Sequence, residues 1–83
     1  MRIAIIDDEM HWRNATKEVV DQHYSNMKVD IYESGEEYLD SKIQYDISFV
    51  DIEMSGIDGF ETIERARAYN PDGIYIILTT HTE

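Results

Sequence analysis

Short apolar runs alternate with helical stripes along the chain. Residues 3–6 form an unbroken apolar run that stops at Asp7 and Asp8. A run that short, with no polar face, predicts a strand buried from both sides, as in a parallel sheet. Over residues 9–24, Trp12, Ala15, Val19, Val20 and His23 recur at helical spacing, and Ser25-Asn26 ends the pattern. Val29, Ile31 and the neighbouring Tyr32 predict a second, more alternating strand that stops at Ser34-Gly35. Ser34 and Glu37 have capping-box spacing for a short helix reaching about Lys42. A third strand over residues 46–50, with Ile47, Phe49 and Val50 apolar, ends at Asp51. After a loop over residues 54–59, Asp58 and Glu61 can cap a helix carrying Phe60, Ile63, Ala66 and Arg67 to about Tyr69. Asn70-Pro71-Asp72-Gly73 ends that helix, because proline cannot continue one. Residues 74–78 are a fourth apolar strand, followed by Thr79 and Thr80. The order β-α-β-α-β-α-β predicts right-handed crossovers and a mainly parallel sheet with helices on both faces.

Composition narrows the class. The 83 residues carry 18 acidic and 7 basic side chains, a formal net charge of −11, yet 42% are hydrophobic and 11% aromatic. That is too apolar for a disordered acidic tail and predicts one small folded domain, residues 1–83, with no second domain. The acidic balance argues against direct contact with nucleic acid. With no cysteine, disulfides and thiolate metal sites are excluded, and a cytoplasmic location is expected. No apolar run approaches the ~20 residues that span a bilayer, so no membrane contact is expected. The opening Met1-Arg2-Ile3-Ala4-Ile5-Ile6-Asp7 turns charged too early for a signal peptide.

The chemistry gathers at strand ends. In open α/β sheets ligands bind beyond the carboxyl ends of the strands, where this chain places Asp7 and Asp8, then Asp51, then Thr79 and Thr80. A lone aspartate after a strand reads as the cap of the next helix. Three on neighbouring strand ends, with a threonine, read as a site. Carboxylates so close repel one another and call for a neutralising partner. A hard cation such as Mg²⁺ suits them, because it takes carboxylate oxygens, keeps waters and leaves room for a phosphate oxygen. A carboxylate beside such a cation can attack phosphorus to give an aspartyl-phosphate. His11, His23 and His81 have no partner at ligand spacing and read as surface or packing residues. Trp12 and the six tyrosines read as core and helix-face material, and the basic residues form no stripe. Gly56 and Gly59 read as turn glycines.

These residues carry a resemblance. Asp7-Asp8, then Asp51 within Phe49-Val50-Asp51-Ile52-Glu53-Met54, then Asp58-Gly59 and Leu78-Thr79 resemble the pattern of a response-regulator receiver domain of two-component signalling, the CheY-like, flavodoxin-like group. The resemblance implies a three-layer α/β fold with a parallel sheet in the order 2-1-3-4, lacking the fifth βα unit of the family. It implies Asp51 as phosphoryl acceptor, Asp8 as direct Mg²⁺ ligand and Asp7 as the second acidic residue. The backbone carbonyl of Glu53 would be a further ligand, and Thr79 the switch hydroxyl with Thr80 after it. Met54 and the Asp58-Gly59 turn would be scaffold.

Two departures stand out. The family usually has proline four residues after the acceptor; Ser55 is here, and the expectation is a looser loop with no effect on the chemistry. The lysine and aromatic residue of the fifth strand have no counterpart, since neither Lys28 nor Lys42 falls in a matching place. The implied function is a phosphoacceptor module that assists its own phosphorylation and dephosphorylation without being a turnover enzyme. Its implied partner is a sensor histidine kinase. The stretch from Leu78 to Glu83 resembles receivers joined to LytTR-type DNA-binding domains, which would make transcription regulation the output. One alternative is a haloacid-dehalogenase-like phosphohydrolase. It needs an aspartate two residues after its nucleophile, where Glu53 stands, and leaves Asp7-Asp8 unexplained. Another is a truncated receiver acting only as an interaction fragment. The fourth strand, apolar and without proline or lysine on it, predicts a dimer or larger assembly through its open edge.

Overall fold

The computed structural model describes residues 1–79; Thr80 and His81, both singled out above, lie outside them, as do Thr82 and Glu83. Seven elements follow in the expected order: β1 (Arg2–Ile6), α1 (Met10–His23), β2 (Lys28–Tyr32), α2 (Gly35–Ser41), β3 (Ile47–Asp51), α3 (Gly59–Ala66) and β4 (Ile74–Leu78). The strands form one parallel sheet in the order β2-β1-β3-β4. Its central strand meets the sequence expectation, since Ile3, Ala4, Ile5 and Ile6 are all fully buried.

The register sorts side chains onto two faces. Ala4 and Ile6 join Val50, Tyr38, Leu39, Ile63 and Ala66 in a core beneath α2 and α3, with Tyr75 and Ile77 packed against it. Ile3 and Ile5 pack with Val20 of α1 on the other face, bordered by Val29, Ile47 and Phe49. This is the three-layer arrangement predicted.

The α2/α3 side contains a tyrosine layer in which Tyr32, Tyr38, Tyr45 and Tyr75 have hydrogen-bond partners. Tyr38 stacks on Tyr45 at 5.8 Å between ring centroids and shares a 2.7 Å hydrogen bond with the Ser48 hydroxyl. Tyr45 donates to Asp30 over 2.8 Å and also bonds the Tyr32 hydroxyl. Arg2 pairs with Asp30 at 2.9 Å and lies 5.4 Å from the centroid of the Tyr45 ring. Burial pushes the phenol groups of Tyr38 and Tyr45 above their ordinary range, so they stay neutral donors.

Both short helices are capped as the sequence indicates. Ser34 Oγ accepts the Glu37 N–H at 3.1 Å, and Asp58 Oδ1 accepts the Glu61 N–H at 2.8 Å. The third helix is shorter than expected. After Ala66 the chain tightens into i→i+3 bonds, Ala68 N–H to Arg65 and Tyr69 N–H to Ala66, before Pro71 bars any continuation.

The apolar stripes also differ from expectation. On α1, Val20 is buried but Val19 is 56% exposed and His23 is exposed, while Arg13, read from the sequence as one of the scattered cations, is buried. The helix lies over β1 and β2. Trp12, Val19 and Tyr24 therefore flank an open groove of about 500 Å³ that reaches Phe49 and Leu78. On α3, Phe60 is 60% exposed, whereas Ile63 and Ala66 are buried as predicted. Among the described residues β4 pairs with β3 alone, and no helix is long and apolar enough to cross a membrane.

Candidate functional site

All four strands run the same way, so their carboxyl ends share one edge. Ile6 pairs with Val50, Val50 with Ile77, and Asp51 with Leu78. That register brings the residue after β1, the last residue of β3 and the residue after β4 to neighbouring positions. Asp7 and Asp51 are fully buried, an unusual place for carboxylates. Asp7, Asp8 and Asp51 each offer one carboxylate oxygen, and the three oxygens lie within 4.8 Å of one another. The trio expected from the sequence is thus assembled by the fold.

Each member is fixed by its loop. The Asp7 N–H donates to the Tyr32 carbonyl at 3.1 Å, holding it against β2. Its Oδ1 accepts the Glu9 N–H at 3.0 Å, two residues on, which fixes the turn leading into α1. Arg13 reaches back from the first turn of α1 and donates from Nη1 to the Asp7 carbonyl at 2.9 Å, with Nη2 3.8 Å from Glu33. Sequence reasoning missed Arg13, because nothing local says that its guanidinium folds under the strand end.

Asp8 is the accessible member. It lines an open cleft of about 490 Å³ with Glu9, Glu53, Met54 and Ser55. Ser55 donates to Asp8 Oδ2 twice, from its backbone N–H at 2.9 Å and from its hydroxyl at 3.2 Å. This corrects the expectation that Ser55 merely loosens the loop, for it touches one of the three carboxylates directly. The signal was available in kind: a residue with both an N–H and an O–H stands where the family usually has an imino acid with neither. The same loop is pinned again two residues on, where the Ile57 N–H donates to Glu36 at 3.1 Å. Between them Gly56 takes φ +80°, the left-handed region that favours glycine.

Glu53 borders the cleft with an exposed side chain, and Thr79 follows β4 directly at the same sheet edge. Met54 packs against the α2/α3 core, as a scaffold residue should. Gly59 serves a different purpose from the turn role expected of it. Its backbone crosses the end of β3 so closely that a Cβ there would lie 2.9 Å from the Ile52 Cα.

The arrangement is a set of hard oxygen donors, Asp7 and Asp51 buried and Asp8 lining an open cleft. Such a set can hold a small divalent cation and present one carboxylate to an incoming electrophile. Comparison with known proteins gives a consistent result. A family model described as the response regulator receiver domain matches residues 3–83. Response regulator protein TrrA from Thermotoga maritima, solved in complex with Mg²⁺ and BeF, is 35% identical with a TM-score of 0.85, over 98% of this chain and 70% of that one. The solved complex of histidine kinase ThkA with TrrA matches at 34% identity and a TM-score of 0.81, over 99% of this chain and 71% of that one. A curated relative, the cyclic di-GMP phosphodiesterase of Thermotoga maritima, is 25% identical across the whole of this chain, which spans 22% of that protein's length.

Proposed function

The chain belongs to the response-regulator receiver family, and on that premise we propose that it is the phosphoacceptor module of a cytoplasmic two-component phosphorelay. In this reading Asp51 receives a phosphoryl group from the phosphohistidine of a sensor histidine kinase. The observation that carries it is the placement of Asp51: buried at the end of β3, with an oxygen within 4.8 Å of oxygens of Asp7 and Asp8. The relatives support it, since one is solved with Mg²⁺ and BeF and one with a histidine kinase.

The step balances simply. An Asp51 carboxylate oxygen attacks phosphorus and forms the new O–P bond, while the P–N bond to the kinase histidine breaks and the nitrogen keeps its electron pair. The product is an acyl phosphate. The donor set fits Mg²⁺, because carboxylate oxygens at this spacing are hard ligands that repel one another until neutralised. Asp8, Asp51 and the Glu53 backbone carbonyl would hold the ion, with Asp7 as the second acidic residue. When bound, it supplies charge neutralisation at the phosphoryl oxygens. The chain itself supplies position: Asp7 and Arg13 fix the end of β1, and the β3–β4 pairing fixes Asp51 beside Leu78 and hence Thr79. Thr79 is the hydroxyl proposed to turn toward the phosphoryl group. The signal then passes to a partner through the surface around β4; an output in transcription regulation, through a DNA-binding domain, is part of the same reading.

The test is intact-mass spectrometry after incubation with a small phosphodonor and Mg²⁺. Wild type is expected to gain one phosphoryl group, and Asp51→Asn to gain none. Equal labelling of the two would move the acceptor elsewhere.

A further inference from the structure

The contact between Ser55 and Asp8 has chemical content of its own. Both donors of Ser55, at 2.9 and 3.2 Å, converge on the same oxygen, Asp8 Oδ2. A carboxylate has about four lone-pair sites, two on each oxygen. Two hydrogen bonds therefore saturate Oδ2 and leave Oδ1 as the oxygen able to meet a cation. The donors are also held in place. Gly56 turns the chain immediately after Ser55, and the Ile57 N–H is bonded to Glu36, so the loop is tied on both sides of Gly56.

We propose that Ser55 is a specificity-determining positioning residue of the acidic site: by occupying Asp8 Oδ2 it confines Asp8 to one-oxygen coordination and so favours Mg²⁺ over Ca²⁺. The inference rests on the reading above that the Asp7–Asp8–Asp51 trio holds a divalent cation. Mg²⁺ demands compact octahedral geometry and takes its carboxylates through single oxygens. Ca²⁺ accepts six to eight oxygens and gains from a carboxylate that offers both. A carboxylate with one oxygen already committed loses more as a Ca²⁺ ligand than as a Mg²⁺ ligand. A proline at this place lacks both donors, so the discrimination is a property of the serine and not of the loop's path alone.

Calorimetric titration of the 83-residue chain with MgCl₂ and with CaCl₂ tests this, in wild type, Ser55→Ala and Ser55→Pro. The alanine variant keeps the backbone N–H and loses the hydroxyl; the proline variant loses both. The ratio of Mg²⁺ to Ca²⁺ affinity is expected to fall by roughly threefold in the first and by roughly tenfold in the second, a fraction of the roughly tenfold or more that each hydrogen bond to a charged acceptor is worth, because its loss acts on both ions and only the difference enters the ratio. A role confined to loop stability would lower both affinities together and leave the ratio alone. Should Ser55→Pro fail to fold, judged by circular dichroism, Ser55→Ala carries the test by itself. Mg²⁺ binding with an unchanged ratio in the folded variants overturns the assignment of Ser55 and leaves the cation reading standing. Failure of wild type to bind Mg²⁺ at all overturns the cation reading and this proposal together.

Discussion

Replacing Gly59 with alanine should damage the fold at the very strand end that carries Asp51. A Cβ at this position would lie 2.9 Å from the Ile52 Cα and 3.0 Å from the Asp51 carbonyl carbon, and closer still to the Asp51 carbonyl oxygen. Carbon atoms rest at about 3.5–4.0 Å, so α3 must retreat from β3 by at least ~0.5 Å. The obstructing atoms are backbone and cannot rotate aside. The Gly59 N–H also donates to the Ile52 carbonyl at 2.9 Å, so a retreat stretches that bond as well. It drags on Thr62, Ile63 and Ala66, all buried. Overpacking of this kind costs about 1–3 kcal/mol, and the better helix propensity of alanine returns less than about 1 kcal/mol. A net loss of about 1–2 kcal/mol lowers the Tm of a domain this size by roughly 4–16 °C. Thermal unfolding followed by far-ultraviolet circular dichroism measures it. A Tm within roughly 3 °C of wild type would show that the approach of α3 to β3 is not as tight as described.

The polar chain beneath the tyrosine layer predicts an acid response. Burial pushes the Asp30 carboxyl up, but the Tyr45 hydroxyl and the Arg2 guanidinium outweigh it, and it settles below its ordinary value of 3.8. A folded-state pKa below the unfolded one contributes stability above the unfolded value, and that stability is lost as pH falls through the folded one. Asp30→Asn should therefore show a shallower loss of urea midpoint below about pH 4 than wild type; parallel acid limbs would contradict it. The outer edge of β4 predicts association. Ile74 and Ile76 are 58% and 38% exposed, and neither proline nor lysine blunts the strand. Sedimentation of the 83-residue chain should show a concentration-dependent dimer or larger species, and a monomer persisting at high concentration would refute it.

Element order was legible because strand and helix periods differ and each alternates with clear stop signals. The trio was legible for a related reason. In a parallel sheet every strand delivers its last residue to the same edge, so Asp7, Asp8 and Asp51 could be placed together without knowing any angle between elements. The strand order itself came from the family resemblance, since periodicity does not say which strands are neighbours. What escaped were contacts across loops. Arg13 is buried because a carbonyl six residues earlier in the chain accepts its guanidinium, whereas the apolar stripe predicted Val19 in that role. Ser55 reaches a carboxylate 47 positions away. Gly59 is needed for tertiary approach, and its own neighbours in sequence carry no trace of that.

The division of aromatic rings between the two faces of the sheet makes the chain its own optical probe. Tyr32, Tyr38, Tyr45, Tyr69 and Tyr75 all belong to the layer under α2 and α3, whereas the sole tryptophan, Trp12, sits on α1 beside the opposite face. Tryptophan emission therefore reports on one layer and tyrosine absorbance chiefly on the other, since five of the six tyrosines lie there and Tyr24 alone stands beside Trp12. Following unfolding at both signals asks whether the two layers melt together, the coincidence expected of a cooperative transition, or whether α1 peels away from the sheet first. No label needs to be introduced, because the uneven partition of rings already weights the two signals toward different layers.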